Sequence, residues 1–307
     1  MARRTLEIAL DYRCNLRCLG CHACDGSGGS LAPGRAAALL REAFQRGTRA
    51  VWFGGGEPTL RDDLLPLVSR ARDLGYEQII VQTNGVRLAY VAYAQALLGA
   101  GVTEVRVNAK SARADVHDAL SAVPGTHALL VKALENLASA GVGVPARVAA
   151  DVLLTVSTAP HLDETVAFFA DRGATRFALW LLYAGDVAAG EADVAHEVPR
   201  IADLVPAIER AARVAEQRGI ELVSFHTPPC TLPESLRRLW KPAAELDMEV
   251  VDPGGQAFAL ETSPYEGSGH IGACKGCAAS ARCGGPRADY LRLHGASEIR
   301  ALGSVVP

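Results

Sequence analysis

The chain has 307 residues, of which 49% are hydrophobic, so it is long enough for one large α/β domain with a smaller appendage. Its 31 basic and 34 acidic residues give a net charge of −3, which offers no global electrostatic attraction to nucleic acid. The sequence shows no signal peptide and no apolar run long enough to span a membrane, so we expect a cytoplasmic protein with no membrane or nucleic-acid partner.

Short apolar runs alternate with amphipathic stretches through most of the chain, which predicts successive βα units around a parallel sheet. Six strands are predicted at residues 5–11, 51–53, 78–82, 104–108, 147–156 and 176–183. Helices are predicted at residues 33–46, 61–74, 88–98, 129–140 and 162–172, with a shorter piece around His117. Trp180 and Tyr183 point to opposite faces of the sixth predicted strand, so at most one of them is expected to point into the interior.

The pattern changes after residue 184, where a loop rich in Ala, Gly, Asp and Glu leads to a long predicted helix at 201–218. A strand is predicted at 221–225, and two prolines then end the regular structure and place Cys230 in a loop. We therefore place a domain boundary near residue 220, with residues 1–220 forming the main domain and residues 221–307 a small C-terminal region.

Cysteines form two groups, and they carry the most functional information in the composition. The first group contains Cys14, Cys18, Cys21 and Cys24, and the second contains Cys230, Cys274, Cys277 and Cys283. In a reducing compartment such groups indicate metal binding rather than disulfides. Zinc is the main alternative to iron–sulfur clusters, because Cys-x2-Cys pairs also bind zinc.

Three cysteines stand in a Cys-x3-Cys-x2-Cys loop directly after the first strand. A cubane cluster normally takes four cysteinates, so a loop that offers three leaves one iron open to a small molecule. A glycine motif follows the second strand and consists of Gly55, Gly56, Glu57 and Pro58. Its two glycines lack side chains, so a bound molecule can approach the backbone closely there.

Together the two motifs resemble the signature of the radical S-adenosylmethionine (radical SAM) superfamily. The resemblance implies a partial (β/α)6 TIM-type barrel in which Cys14, Cys18 and Cys21 hold a [4Fe-4S] cluster and the glycine motif contacts SAM. It also implies reductive cleavage of SAM to a 5'-deoxyadenosyl radical, which abstracts hydrogen from a substrate, and a flavodoxin- or ferredoxin-type reductant. Because three cysteines already match the family spacing, we interpret Cys24 as a spare thiol.

Three polar residues near the carboxyl ends of predicted strands extend the expected SAM site. Asn84 and Asn108 fall at the ends of the third and fourth strands, the rim where barrel folds build their sites. The resemblance implies a ribose contact for Asn108. Lys110 stands in a pattern similar to the Asp-x-Lys of glycyl-radical activating enzymes, which implies a contact with the SAM carboxylate; a solvated lysine is the equal alternative.

The later cysteines, Cys274-x2-Cys277-x5-Cys283, resemble the auxiliary-cluster region (SPASM or twitch-like) of peptide-modifying radical SAM enzymes. The full SPASM pattern has a further cysteine where this chain has Arg287, and no cysteine follows, so we expect one auxiliary [4Fe-4S] cluster. Cys230 is its expected fourth ligand. Zinc on the same four thiolates stays open as the alternative.

The resemblance to auxiliary-cluster enzymes favours modification of a ribosomally synthesised peptide by crosslinking, epimerisation or oxidation. We expect no separate leader-binding domain ahead of the barrel, so a small-molecule dehydrogenase or rearranging enzyme of antibiotic or cofactor biosynthesis is the alternative. A non-catalytic iron–sulfur electron carrier is a third hypothesis. The glycine motif argues against it, because an electron carrier has no need of a SAM-binding turn.

Overall fold

The computed structural model of the protein describes residues 5–21, 29–139, 147–185, 192–263 and 267–303. Its strands are β1 (Thr5–Asp11), β2 (Ala50–Gly55), β3 (Gln78–Thr83), β4 (Glu104–Asn108), β5 (Arg147–Leu154), β6 (Ala174–Leu181), β7 (Glu221–Phe225), β8 (Met248–Val251) and β9 (Ala257–Ala259). Its helices are α1 (Pro33–Gln45), α2 (Leu64–Leu74), α3 (Val91–Ala100), α4 (Ala114–Ser121), α5 (Thr126–Ser139), α6 (Leu162–Ala170), α7 (Ala192–Glu197), α8 (Ile201–Arg218) and α9 (Ala288–His294). Among the described helices, none is both long and apolar enough to cross a membrane.

The strands form one sheet in the order β7-β6-β5-β4-β3-β2-β1-β8-β9. Neighbouring strands from β7 to β8 pair in parallel, and only β9 runs antiparallel, against β8. In the described part of the chain the sheet ends at β7 and β9 and does not close. This open parallel sheet with interleaved helices confirms the predicted α/β fold of the partial TIM-type barrel.

Alternation along β1 shows how the two faces of the sheet differ. Leu6, Ile8 and Leu10 are buried in the main core, which they share with apolar side chains of α1. Glu7 and Ala9 point to the other face and line an internal cavity. Successive side chains of a strand point to opposite faces, so the first strand supplies both the core and the cavity wall. A smaller apolar cluster on the cavity side contains Trp52, Ile80, Met248 and Val250.

The sheet continues past residue 220, because β7 pairs with β6 and β8 pairs with β1. Strands β8 and β9 have only four and three residues, too few to give a readable periodicity, which explains why the sequence did not predict them. The division into two domains near residue 220 stays a prediction. The described residues on both sides of it contribute to one sheet.

The sixth strand lies two residues earlier than predicted, at Ala174–Leu181. Trp180 is therefore on the strand and Tyr183 lies beyond its end. Both residues line the cavity, as do Leu181 and Leu182 between them, and the expectation that at most one of the two side chains points inward stays a prediction. The alternation of facing that supported it applies only within a strand.

Candidate active site

The cysteine loop opens onto a cavity of about 410 Å³ at the end of the barrel. Cys14, Cys18 and Cys21 all line this cavity. Burial raises the pKa of the Cys14 thiol, and the charges of Glu57, Cys18 and Cys21 raise it further, while the backbone N–H of Leu16 opposes the rise. The structure thus brings the three predicted ligands to one place. Cys24 lies outside the described residues.

Helix α4 holds the cysteine loop in place. The backbone N–H groups of Arg17 and Leu19 donate hydrogen bonds to the carbonyl oxygens of Ser121 and Leu120, at 3.1 and 3.0 Å. The last carbonyl groups of a helix have no partner within the helix, so they are available to accept these bonds. The loop is therefore anchored at its middle by a helix that follows β4.

The glycine motif packs directly on the start of the cysteine loop. The N–H of Gly56 donates to the carbonyl of Asp11 at 2.7 Å, and the N–H of Glu57 donates to the carbonyl of Arg13 at 2.8 Å. A Cβ atom at Gly56 would lie 2.3 Å from the Arg13 carbonyl oxygen. Glycine is required here because two backbone segments meet, a reason additional to the expected approach of SAM. Gly55 and Gly56 also line the cavity.

Glu57 is buried behind the cavity wall, where it joins the glycine motif to the end of β3. Its carboxylate accepts the N–H of Thr59 at 3.0 Å, the hydroxyl of Thr83 at 2.8 Å and the N–H of Asn84 at 2.7 Å. Burial raises its pKa, and these hydrogen bonds oppose the rise. Glu57 and the adjacent Pro58 belong to the supporting structure, whereas the glycines face the cavity.

The three predicted polar residues also line the cavity. The side-chain amide of Asn84 donates to Asn15 Oδ1 at 2.8 Å and lies 3.8 Å from the Cys14 sulfur. Lys110 is only 1% exposed, so the alternative of a solvated lysine is wrong. Its Nζ donates to Asn108 Oδ1 at 3.3 Å, and no described carboxylate pairs with it.

A polar network at the barrel floor was missed by the sequence reasoning. Asp151 accepts hydrogen bonds from Arg106 Nη1 at 2.7 Å, Gln82 Nε2 at 3.1 Å and Trp180 Nε1 at 3.0 Å. Arg106 also donates to the buried Glu104 at 3.2 Å. The signal was present in the sequence, because charged residues inside strands of a parallel sheet interrupt an otherwise apolar run.

The second group of cysteines surrounds a separate small cavity of about 20 Å³. The four thiols that line it are Cys230, Cys274, Cys277 and Cys283. Burial raises the pKa of the Cys230 and Cys283 thiols, and the neighbouring thiols raise it further. No group of three or more His, Cys, Asp or Glu side chains in the described residues is arranged to hold a single metal ion, so the grouping rests on the shared cavity and these interactions.

Backbone donors already point at two of these sulfur atoms. The N–H of Gly285 donates to Cys283 Sγ at 3.4 Å, and the N–H of Leu302 donates to Cys277 Sγ at 3.3 Å. Such bonds favour thiolate, the form that binds iron or zinc. Four thiols are a donor set that a [4Fe-4S] cluster or zinc uses, although in the described residues they are not arranged around a single ion.

Arg287 ties this cysteine region to the wall of the main cavity. Its guanidinium forms an ion pair with Asp289 at 3.0 Å and donates to the carbonyls of Leu181, at 2.9 Å, and Leu182. It also donates to His226 Nδ1 at 3.2 Å. Arg287 and His226 both line the main cavity, and the adjacent Pro286 lines the small cavity of the second cysteine group, so one short segment borders both cavities.

The sequence profile of the Radical SAM superfamily matches residues 10–169, a little over half of the chain. The chain belongs to the radical SAM superfamily. Its members use a [4Fe-4S] cluster and SAM, so the enzyme class and these cofactors are established by the family.

Two curated relatives of this radical SAM protein have different names. The probable GTP 3',8-cyclase of Methanothermobacter thermautotrophicus is 36% identical over 107 residues, which are 34% of this chain and 34% of the relative. The mycofactocin maturase MftC of Mycobacterium tuberculosis is 33% identical over 172 residues, which are 55% of this chain and 42% of the relative. The matches thus span half or less of the relatives' length. The Streptococcus suis SuiB structure with bound S-adenosylmethionine has a TM-score of 0.71 at 15% identity, over 98% of this chain and 77% of that one.

The main cavity fits the cofactors of a radical SAM enzyme. Three thiols line it from one loop, and no other cysteine of the described residues does so, which suits a cluster with one open iron. The Lys110 ammonium and the backbone of Gly55 and Gly56 face the same space and can bind a carboxylate and an amino group. The roles of the individual residues remain predictions.

Proposed function

We propose that this radical SAM enzyme uses the 5'-deoxyadenosyl radical to abstract hydrogen from a ribosomally synthesised peptide that it crosslinks, epimerises or oxidises. When bound, the cluster and SAM supply the radical by one-electron cleavage, with the electron delivered by a flavodoxin- or ferredoxin-type reductant. The observation that carries the proposal is the arrangement of seven thiols around two cavities, three around the main cavity and four around the small one.

At the SAM end, Cys14, Cys18 and Cys21 would hold the cluster. Gly55 and Gly56 would accommodate the methionine moiety, and Lys110 would pair with its carboxylate, because a buried ammonium without a described carboxylate partner favours an anionic ligand. Asn84 and Asn108, which line the same rim, would orient the remaining polar groups of SAM. Glu57 and Pro58 would hold the glycine motif in position.

At the other end, Cys230, Cys274, Cys277 and Cys283 would hold one auxiliary [4Fe-4S] cluster with all four irons ligated. Its place in the mechanism would be to carry the electron that is released when a substrate radical is oxidised. Zinc on the same thiolates would be structural instead. The convergence of four thiols, including the distant Cys230, on one small cavity supports a metal centre of either kind.

Some relatives support a peptide substrate, and others support the small-molecule alternative. MftC is named a maturase, and a SuiB structure of the same fold is bound to the precursor peptide SuiA. The GTP 3',8-cyclase relatives act on a small molecule by their name, so a small-molecule radical SAM enzyme is the second candidate.

The experiment is a metal analysis beside an activity assay on anaerobically reconstituted protein. We expect about eight irons per chain, which corresponds to two [4Fe-4S] clusters, and 5'-deoxyadenosine formation with dithionite. The Cys14→Ala/Cys18→Ala/Cys21→Ala variant should retain about four irons and lose 5'-deoxyadenosine formation. The Cys230→Ala variant should lose auxiliary iron. Continued SAM cleavage by the triple variant would refute the site assignment, and about one zinc beside four irons would make the second site structural.

A further inference from the structure

Most charged side chains that line the main cavity are compensated within the protein. Asp151 is paired with Arg106, and Arg287 is paired with Asp289. The cavity wall leaves two charged groups without an ion pair or a backbone N–H partner among the described residues, namely Lys110 and a carboxyl group at the floor. The Lys110 ammonium lies on the rim and suits SAM, which leaves the floor carboxyl without an assigned ligand.

That carboxyl belongs to Glu7, in the middle of β1. A Cβ atom on Gly54 of the neighbouring strand would lie 3.1 Å from Glu7 Oε1, so the lack of a side chain there makes room for the carboxyl. Ala9, the next inward residue on β1 toward the cysteine loop, is also small and lines the cavity. The cysteine loop, Ala9 and Glu7 thus line one cavity.

The surroundings of Glu7 make its ionised form unfavourable unless a cation binds to it. Burial raises its pKa to about 7, and the negative charge of Asp151 contributes to the rise. Asp151 cannot donate a hydrogen bond to the Glu7 carboxylate, because it is an ionised acceptor of hydrogen bonds from Arg106, Gln82 and Trp180. Glu7 is half-buried, and a carboxylate that is partly removed from water without a partner is costly, so a bound cation offsets that cost.

We infer that the barrel floor around Glu7 is a binding subsite for a protonated nitrogen group of the substrate. The inference rests on the proposed function only in placing the substrate in this cavity. In a peptide the group would be a lysine or arginine side chain or an amino terminus, and in a small molecule an amine or guanidine. The Glu7 carboxylate accepts its hydrogen bonds, while the bond to be broken lies nearer the cysteine loop.

The test measures binding of n-butylammonium and its neutral counterpart n-butanol to the anaerobically reconstituted enzyme by saturation-transfer NMR. Native protein should bind the ammonium about 10-fold more tightly than the alcohol, the ratio expected for one charge-assisted hydrogen bond. Glu7→Gln keeps the size of the side chain and should abolish this preference. Glu7→Asp keeps the charge and should retain it. Glu42→Gln, which changes an exposed carboxylate on α1, is the control and should leave it unchanged.

Equal affinities for the two probes in native protein, or a preference that survives Glu7→Gln, would overturn the inference. If circular dichroism shows that Glu7→Gln does not fold, two results decide the question. They are the ratio of the affinities of native protein for n-butylammonium and n-butanol, and the persistence of that ratio in Glu7→Asp. Because neither probe requires SAM cleavage, the result is independent of 5'-deoxyadenosine formation. If the protein forms 5'-deoxyadenosine but shows no preference for the ammonium, the Glu7 subsite is refuted and the proposed function stands. If it prefers the ammonium but forms no 5'-deoxyadenosine, the proposed function is refuted and the subsite stands.

Discussion

Arg287→Met tests whether the cysteine region is fastened to the barrel as the structure indicates. The arginine side chain is 3% exposed and the carboxylate of Asp289 is fully buried. In the variant, the carbonyls of Leu181 and Leu182 lose their donor, and His226 Nδ1 loses the guanidinium. Methionine fills much of the same volume without supplying a donor, so the measured effect reports mainly on lost polar contacts.

The expected loss follows from the buried charge that remains. Among the described residues, Asp289 then keeps the N–H of Ala184 as its one donor, at 2.9 Å. Removing one partner of a buried ion pair typically costs about 3–5 kcal/mol, because the other charge is left uncompensated. We therefore expect Arg287→Met to lower the free energy of unfolding by about 3–5 kcal/mol at pH 7.

Urea unfolding of the anaerobic protein, followed by circular dichroism, measures this loss. Adding Asp289→Asn to Arg287→Met removes the orphaned charge and should restore much of the stability. Arg35→Met is the matched control, because Arg35 pairs with Glu42 on the surface and such pairs contribute about 1 kcal/mol or less. A loss below about 1 kcal/mol for Arg287→Met, or no recovery in the double variant, would show that Arg287 does not anchor this region.

Three further variants test other parts of the structure. The pKa of Glu7 is raised from 4.5 to about 7, so ionisation of this carboxyl in the folded protein lowers the free energy of unfolding as pH rises from 4.5 to 7. Glu7→Gln removes the ionisable group. Urea unfolding should therefore show the variant to be more stable than native protein by up to about 3 kcal/mol at pH 8 and equally stable at pH 4. Gly56→Ala should lose cluster iron in metal analysis, because its Cβ meets the Arg13 carbonyl, whereas Gly54→Ala meets only the end of a flexible side chain and should keep it. Burial lowers the pKa of His117 from 6.5 to about 3, so the free energy of unfolding falls as pH drops below 6.5. His117→Phe should reduce the loss of stability between pH 7 and pH 5 by up to about 2 kcal/mol. An unchanged loss would contradict the burial of a neutral imidazole.

The sequence was sufficient for features that depend on neighbours in the chain. The Cys-x3-Cys-x2-Cys loop and the glycine motif each lie within eight residues, and each follows a strand whose apolar pattern is clear. Parallel strands bring their carboxyl ends to one edge of a sheet, so the convergence of Cys14, Gly55 and Asn84 on one cavity follows from the order of the βα units.

The floor of the cavity was harder to anticipate, although its residues stand in the predicted strands. Glu7 and Asp151 come from the first and fifth strands, and Arg106 comes from the fourth. Strand patterning assigns each of them to the inner face, but it does not show which charges pair across the barrel. Arg106 bonds Asp151 and leaves Glu7 without a cation, a result of side-chain reach rather than of periodicity.

Arg287 shows how a missing ligand can conceal a structural role. By sequence it only marks the absence of a cysteine, but it lies four residues after Cys283, and its contact His226 lies four residues before Cys230. The contact therefore joins the segment that carries Cys230 to the segment that carries Cys283, and both cysteines are expected ligands. His226 has a φ of +61°, a conformation that costs a non-glycine residue on the order of 1 kcal/mol and persists only where its surroundings fix it. A cysteine at position 287 would be too short to reach His226 and the carbonyls of Leu181 and Leu182, so the arginine makes contacts with the wall of the main cavity that a thiol at this position could not make.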